Sequence, residues 1–483
     1  MNNTIRFGDF VEVNPRVQLE KGKEHPYIEM ADINPGNAFV FPQEERVYKG
    51  GGSRFQSGDI LFARITPCLE NGKIVQFKHT GNQPCFGSTE FFIFRGKPNI
   101  SDSTYILYLA LSPIIRDPAV KSMSGASGRQ RAALSSVEDI SIPFLPLPTQ
   151  RKIAAILSTY DDLIENNTRR IKILEDMAQT LYREWFVHYR FPGHENVPMV
   201  QSELRPIPQG WEVKQLGEMC NILMGLSPKS EFYNETGEGL PFHQGVTDFG
   251  SRFPTDRVYC TVQKRIAETD DILFSVRAPV GRINIANKRI VIGRGLSAIR
   301  SKSNNQHFIL HQLKDRFQEE DTMGSGTIFN AITKADLLGI QLLKPTSAIV
   351  AKFEKTVGPI SSELATLTIK NANLRQTRDL LLPKLISGEI DVSDLDIDTD
   401  DVQPNKGGTH IPYALTERLH SDKKILDGKP VIKGTRLSVT FILGLLKQGW
   451  KEEEIIENYP RITQEDIEAC HEYQKVTRAS ISR

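Results

Sequence analysis

Two stretches of the chain repeat apolar residues at every seventh position, a pattern that predicts long helices packed along one another. The first stretch spans about 149–189 and the second about 347–382, where Pro383 is expected to end or kink the helix. Each helix would be about 55–60 Å long at about 1.5 Å per residue. Asn167 and Asn371 stand in these rows, and an isolated polar residue there fixes the register at some cost in stability.

The two predicted helices are expected to pair with each other. The alternative is that each packs on its own globular domain, but helices of this length would extend well beyond domains this small. A whole globular domain separates the two helices along the chain. An antiparallel pair would therefore hold two domains at opposite ends, related by a pseudo-twofold axis.

The segments that precede each helix are short and strand-like, and their landmarks occur twice in the same order. Such a repeat indicates that residues 1–199 and 200–390 are two copies of one module. Two similar domains tied by two long helices suit a target that has two parts. The matched landmarks are 7–10 with 216–219, 58–64 with 270–277, the glycine loop 125–128 with the glycine loop 324–327, and 148–150 with 345–347.

The composition is that of an ordinary globular protein with several domains. The 483 residues are too many for one core, and 39% are apolar and 25% charged. The five cysteines never form a Cys-x-x-Cys pair, which argues against a disulfide framework and a zinc site. The sequence has neither an apolar run of about 18 residues nor a signal peptide's apolar stretch, so we predict a cytoplasmic protein without membrane contact.

The net charge does not by itself indicate a nucleic-acid partner. Sixty basic and 59 acidic residues give +1 at pH 7, far from the basic signature of many DNA-binding proteins. The distribution is more informative, because residues 272–314 contain eight lysines and arginines and no acid. A second acid-free stretch runs from 118 to 137. Each stretch is compatible with phosphate contact and equally with an ordinary solvated face.

A combination of motifs connects the chain to a known family. No single motif is specific, but together and duplicated they extend over residues 1–390, and the chain resembles the specificity subunit of a type I restriction–modification system. The motifs are Gly58-Asp59-Ile60-Leu61, the glycine loop 125–128 followed by 142–150, Ile153-Ala154-Ala155-Ile156-Leu157, 207–212 and 381–390.

The resemblance implies an α/β (α+β) fold with two duplicated target-recognition domains joined by an antiparallel pair of long coiled-coil helices, and the residues beyond them predict a small all-α C-terminal domain. The expected divisions are recognition domain 1 at 1–148, spacer helix 1 at 149–192, recognition domain 2 at 200–345, spacer helix 2 at 346–390, an acidic flexible linker at 391–410, and the small domain at 411–483.

The resemblance also implies partners. Each recognition domain would read one half of a split site in double-stranded DNA, and the divergence of the two copies would make that site asymmetric. The helices would set the half-site separation, with half-sites one turn (roughly 34 Å) apart lying on one DNA face. They would also dock two methyltransferase subunits, and restriction/translocase subunits would complete the complex.

Side chains that reach base edges carry sequence recognition, chiefly Arg to guanine and Asn or Gln to adenine. The glycine loops permit close backbone approach to a phosphate, although an ordinary mobile loop would look the same. The arginines that follow the Asp-Ile-Leu-Phe strands are equally compatible with a structural role. The candidate DNA-binding residues are Arg64, Arg129, Gln130, Arg131, Arg277, Arg282, Thr327 and Asn330.

Catalytic motifs are missing from the sequence. It contains neither an Asn-Pro-Pro-Tyr-type methyltransferase motif nor a phosphate-binding Gly-x-x-x-x-Gly-Lys-Ser/Thr loop. We therefore expect no catalytic residue, metal or cofactor on this chain, with S-adenosylmethionine, ATP and Mg²⁺ on partner subunits only. Two rival interpretations are an adapter for methylation without restriction and a self-sufficient nuclease or methylase.

The C-terminal piece departs from an ordinary specificity subunit. Residues 428–436 and 442–460 resemble a small helix-turn-helix-like family associated with antitoxins. Ser438 is expected to cap one helix and Thr463-x-x-Asp466 to begin another. DNA binding, protein binding and a fusion remnant remain open for this domain.

Overall fold

The computed structural model describes residues 4–79, 83–126, 128–322, 331–397, 399, 418–420, 430–435, 437–447, 450–459 and 461–481. The chain divides into two compact units, Met1–Leu395 and Asp396–Arg483. Within the described parts of the chain, no helix is both long enough and apolar enough to cross a membrane.

The described residues of the first globular domain form two sheets of four or five strands, a two-stranded pair of β1 with β11, and four short α-helices. A five-stranded sheet has the order β2-β10-β7-β8-β4, and a four-stranded sheet has the order β5-β3-β9-β6. The elements are β1 (Thr4–Arg6), α1 (Phe7–Phe10), β2 (Val11–Val13), β3 (Glu24–Ile28), β4 (Phe39–Val40), β5 (Glu44–Val47), β6 (Ser53–Phe55), β7 (Ile60–Ala63), β8 (Ile74–Phe77), β9 (Cys85–Gly87), β10 (Phe91–Gly96), α2 (Ser103–Leu111), α3 (Pro113–Lys121), α4 (Leu134–Glu138) and β11 (Ser141–Pro143).

The core of this domain lies between the two sheets. Ile28 and Phe55 from one sheet pack with Leu61 and Phe77 from the other, and all four are buried. The rings of Phe55 and Phe77 are 4.9 Å apart in an edge-to-face arrangement, a geometry that aromatic pairs prefer. The short apolar runs of β7 and β8 are buried on both faces, which explains why they do not alternate with polar residues.

The second globular domain repeats this plan. A four-stranded sheet has the order β15-β23-β20-β21, and a five-stranded sheet has the order β16-β18-β17-β22-β19. The elements are β12 (Met199–Val200), β13 (Ile207–Pro208), β14 (Glu212–Gln215), α6 (Leu216–Met219), β15 (Cys220–Met224), β16 (Tyr233–Asn234), β17 (Leu240–His243), β18 (Tyr259–Cys260), β19 (Ile266–Ala267), β20 (Ile272–Ser275), β21 (Ile283–Ile285), β22 (Ile290–Ile292), β23 (Leu296–Ser301), α7 (Gln306–Thr322), α8 (Lys334–Leu338) and β24 (Gln341–Lys344).

A buried ion pair occurs at the same place in both domains. Asp59 accepts hydrogen bonds from Nε and Nη2 of Arg95, both at 2.7 Å. Asp271 accepts the same two bonds from Arg300, at 2.6 and 2.7 Å. The aspartates are 1% and 3% exposed, and bidentate pairing satisfies a carboxylate that is removed from water. The duplication seen in the sequence is therefore a duplication of internal contacts as well.

The two long helices are α5 (Leu147–Tyr182) and α9 (Ser347–Ser387), with a π-helical turn at Arg183–Val187 after α5. The second helix does not end at Pro383, so that part of the expectation is wrong. α9 continues for four residues beyond Pro383. Burial of Leu385 and Ile386 offsets the lost backbone hydrogen bond of proline. Gly388, with φ of 77°, ends the helix instead.

The helices run antiparallel, and their polar contacts define the register. Asn167 Nδ2 donates to Asn371 Oδ1 at 2.9 Å, and both side chains are buried. Toward one end Arg378 pairs with Asp161, and toward the other Arg170 Nη2 lies 2.7 Å from Glu363 Oε1. The two asparagines found in the seven-residue rows are therefore partners of each other.

Each end of the helix pair belongs to a domain core. At one end Tyr108 of α2 donates its hydroxyl to the buried Asp161 of α5 at 2.6 Å. At the other end Phe186 packs edge-on against Phe308 and Phe353, with ring centroids 4.8 and 5.2 Å apart. The helices consequently fix the two domains to one scaffold within the unit Met1–Leu395.

The unit Asp396–Arg483 contains α10 (Val439–Lys447), α11 (Glu452–Asn458) and α12 (Gln464–Ile481), as well as β25 (Leu419–His420) and β26 (Val431–Ile432). The expectation of an all-α domain is wrong, because β25 and β26 pair antiparallel. The β-branched Val-Ile dipeptide favours this pairing. Both predicted caps are confirmed, since Ser438 Oγ accepts from Phe441 N and Asp466 accepts from Thr463 N.

Candidate nucleic-acid interface

The glycine loop of the first domain is closed by backbone hydrogen bonds. Ser124 and Arg131 exchange two such bonds, of 3.1 and 2.9 Å. Thr66 N donates to Gln130 O at 3.0 Å, and Ala132 N donates to Arg64 O at 2.8 Å. The loop is therefore fixed to the segment that follows β7, and the sequence candidates Arg64, Gln130 and Arg131 come together there.

Two of these candidates share one carboxylate, that of Glu90. Arg131 Nη2 lies 2.7 Å from Glu90 Oε1, and Arg131 Nε lies 3.1 and 3.0 Å from the two carboxylate oxygens. Arg64 Nε donates to Glu90 Oε2 at 3.2 Å. These hydrogen bonds, led by those from Arg131, lower the pKa of Glu90, so the carboxylate stays ionised at neutral pH. Sequence reasoning missed Glu90, because it lies 26 and 41 residues from its partners.

Arg129 and Gln130 differ in their surroundings. The Arg129 side chain is exposed and forms no ion pair with any residue that the structure describes. Its backbone N–H donates to Ala126 O at 3.0 Å. The Gln130 side chain is half-buried. Arg129 is thus a cation on the glycine loop that is available to a phosphate or a base edge.

The second domain places its candidates around the equivalent strand end. Arg277 pairs with Ala331 as Ile65 pairs with Arg131, and Arg277 and Arg282 are both exposed. The Arg282 backbone N–H donates to Ser275 Oγ at 2.8 Å. Thr327 and Asn330 lie outside the described residues.

Arg64 and Arg277 do not occupy matching positions, contrary to the expectation from sequence. Arg64 N donates to Glu90 O, and the corresponding bond in the second domain runs from Val276 N to Gly295 O, at 3.0 and 2.9 Å. Arg64 is therefore equivalent to Val276. A shift of one residue in an extended segment turns a side chain to the opposite face. The two arginines therefore lie on different faces of their domains.

The acid-free stretch 272–314 is less cationic in the structure than in the sequence. Lys288 pairs with Asp256, Arg289 with Glu268 and Arg300 with Asp271, each an acid outside the stretch or at its border. In contrast, Arg277 and Arg294 are exposed and have no ion-pair partner among the described residues. Charge counting along the chain could not find these pairs, because the sheet pairing brings them together.

The exposed charged side chains that the structure describes on α12, up to residue 474, are acidic. Glu465, Glu468 and Glu472 are exposed, whereas Ile467 and Cys470 face the core of that unit. Negative charge on a helix surface repels the phosphate backbone. The part of α12 up to residue 474 is therefore unfavourable for phosphate contact.

Comparisons with known proteins agree with the duplicated plan. Residues 3–176 and 208–346 match the family described as "Type I restriction modification DNA specificity domain". Residues 420–473 match a family described as "Protein of unknown function (DUF433)". The first family accounts for both globular domains and most of α5.

Two relatives are named as type I restriction enzyme specificity subunits. The chain is 30% identical over 343 residues to the putative type I restriction enzyme MjaX specificity subunit of Methanocaldococcus jannaschii, covering 69% of this chain and 79% of that protein. It is 24% identical over 406 residues to the HindI specificity subunit of Haemophilus influenzae, covering 69% and 87%. The crystal structure of the HsdS subunit from Thermoanaerobacter tengcongensis is 26% identical, with a TM-score of 0.31, over 80% of this chain and 97% of that chain.

Proposed function

The chain belongs to the family of type I restriction–modification DNA specificity subunits, and from this premise we propose how its parts divide the work. Residues 1–148 and 200–345 are each assigned to one half of a bipartite site in double-stranded DNA. The helical segments 149–192 and 346–390 are assigned to spacing and scaffolding. The chain itself is assigned no catalytic step.

The observation that carries this proposal is one plan with two different surfaces. The internal pairs Asp59–Arg95 and Asp271–Arg300 are the same, yet the residues beside the glycine loops differ. Where the first domain presents Arg131, the second has Ala331. Domains that share a scaffold but not their contact residues suit two different half-sites, which together form an asymmetric target.

The antiparallel helices support a fixed separation of the half-sites. Their register is held by the Asn167–Asn371 hydrogen bond and the Asp161–Arg378 ion pair, and each end lies in a domain core. We assign to the same helices the docking of two methyltransferase subunits, with restriction/translocase subunits joining that complex. S-adenosylmethionine, ATP and Mg²⁺ are assigned to those partners, because the sequence lacks the motifs that would bind or use them.

Methylome sequencing of a host that carries the complete system tests the division of the target. Arg129→Ala with Gln130→Ala is expected to relax or weaken one half of the methylated motif, and Asn330→Ala the other half. A bidentate base contact contributes about 1–3 kcal/mol, so each loss should affect a base position and leave folding intact. Deletion of residues 403–483 should leave both halves unchanged. Alteration of the same half by both loop variants would contradict the proposal.

A second experiment addresses catalysis and partners. The purified chain, incubated alone with DNA, Mg²⁺ and S-adenosylmethionine, is expected neither to cut nor to methylate. Methyl transfer by the chain alone would overturn the assignment. Affinity purification from the host should recover methyltransferase and ATP-dependent endonuclease subunits, and recovery of the methyltransferase alone would assign the chain to methylation without restriction.

A further inference from the structure

Glu90 connects two candidate DNA-binding arginines that are far apart in the sequence. Its carboxylate is 19% exposed, whereas the side chains of Arg64 and Arg131 are 33% and 47% exposed. The carboxylate therefore lies beneath the surface that the arginines form. Arg64 also places its guanidinium 5.4 Å from the ring centroid of Phe92, which further restricts its position.

The hydrogen bonds leave a particular edge of Arg131 unused. Glu90 accepts from Nε and Nη2 of Arg131, so the inner edge of the guanidinium is occupied. Nη1 and the second N–H of Nη2 form the outer edge, and the residues that the structure describes make no hydrogen bond or ion pair with it. Two parallel N–H groups are what a guanine requires at O6 and N7 in the major groove.

We propose that Glu90 is a specificity-determining positioning residue, which orients Arg131 so that its outer edge reads a guanine in the half-site of the first domain. This inference rests on the proposed function. Glu90 contacts no base itself. It restricts the rotation of Arg131 about its long side chain, which lowers the entropy lost when the bidentate contact forms.

The second domain provides a built-in comparison. At the equivalent positions Arg64, Glu90 and Arg131 are replaced by Val276, Gly295 and Ala331, as the backbone pairing shows. A side chain cannot be accommodated at Gly295, because a Cβ atom there would lie 2.4 Å from Gln244 O. The second domain therefore reads its half-site without this arrangement, and any effect of Glu90 must be confined to one half.

The test uses the complete complex, with base preference as the readout. Glu90→Gln and Glu90→Asp are expected to relax discrimination at one guanine position of one half-site, on the order of tenfold. Arg131→Lys should relax the same position by about 5- to 150-fold, because lysine keeps the charge but loses the bidentate edge. Glu268→Gln is the matched control, since Glu268 pairs with Arg289 in the second domain at 3.4 Å, and it should leave the motif unchanged.

Competition binding against a set of single-base variants of the target, together with methylome sequencing, separates the outcomes. If the wild-type complex recognises a bipartite motif and the Glu90 variants weaken binding uniformly, Glu90 has a structural role only and the inference is overturned. Relaxation in the other half, or at a position different from that of Arg131→Lys, overturns it as well. If Glu90→Gln does not fold, the test rests on Glu90→Asp. The inference then requires that Glu90→Asp and Arg131→Lys relax the same base position. A wild-type complex without a bipartite motif would instead refute the proposed function.

Discussion

The buried asparagine pair between the long helices gives the sharpest test of how the scaffold is held. Asn371 accepts from Asn167 Nδ2 and donates to Ile164 O and Thr168 Oγ1, at 3.3 and 3.2 Å. Asn371→Leu removes all three contacts and leaves the Asn167 amide unpaired. A buried polar group without a partner costs about 1–3 kcal/mol, so we expect Asn371→Leu to lower the free energy of unfolding by that amount.

Asn167→Leu should cost less than Asn371→Leu. It removes one hydrogen bond, and the Asn371 amide keeps its bonds to Ile164 O and Thr168 Oγ1. The double leucine variant should recover most of the stability or exceed that of the wild type, because both unpaired polar groups disappear. The expected order of destabilisation is therefore Asn371→Leu, then Asn167→Leu, then the double variant.

Thermal and urea unfolding of the full chain, monitored by far-ultraviolet circular dichroism, measures this order. For a chain of this size each kcal/mol should shift the midpoint by roughly 1 °C. Conservative changes of the exposed Thr366, such as Thr366→Ser, control for substitution on the helix surface. Additive losses in the double variant would refute the reasoning, because two independent sites add whereas two partners do not.

The remaining predictions concern the same scaffold. Arg378→Met should destabilise the chain by about 3–5 kcal/mol, because among the described residues Asp161 keeps only the Tyr108 hydroxyl as a side-chain donor. Thermal unfolding measures this loss, and stability should be regained only when Asp161→Asn is added. Inserting one heptad into each helix at facing positions, after Leu174 and after Leu364, should lengthen the pair by roughly 10 Å and separate the half-sites by about three base pairs. An unchanged methylated motif from an active complex would show that the helices do not set the spacing.

The helices could be predicted from the sequence because their pattern is local. A seven-residue repeat identifies both, and the position of Asn167 and Asn371 in that repeat indicates that they face a partner. The expectation that the helix ends at Pro383 failed, since α9 continues to Ser387 and buries Leu385 and Ile386. Tertiary packing overrode the local tendency of proline to end a helix.

The candidate interface was less predictable because it depends on strand register. The glycine loop and Arg131 stand out in the sequence, but the partner that orients Arg131 is Glu90, which no local pattern identifies. The mismatch between Arg64 and Arg277 has the same origin. The matched segments 58–64 and 270–277 differ in length by one residue, and that residue exchanges inward and outward side chains.

Within the unit Met1–Leu395, the chain returns to the place from which it starts. β1 pairs with Ser141–Pro143 immediately before α5, and Lys152 Nζ on the second turn of that helix donates to Ser393 O at 2.6 Å. A circular permutant that joins these ends by a short linker and opens the exposed loop at residues 201–206 would keep every contact described for the helices and both domains. If that permutant recognises the same motif, the order in which a gene encodes the two domains does not determine the order of the half-sites.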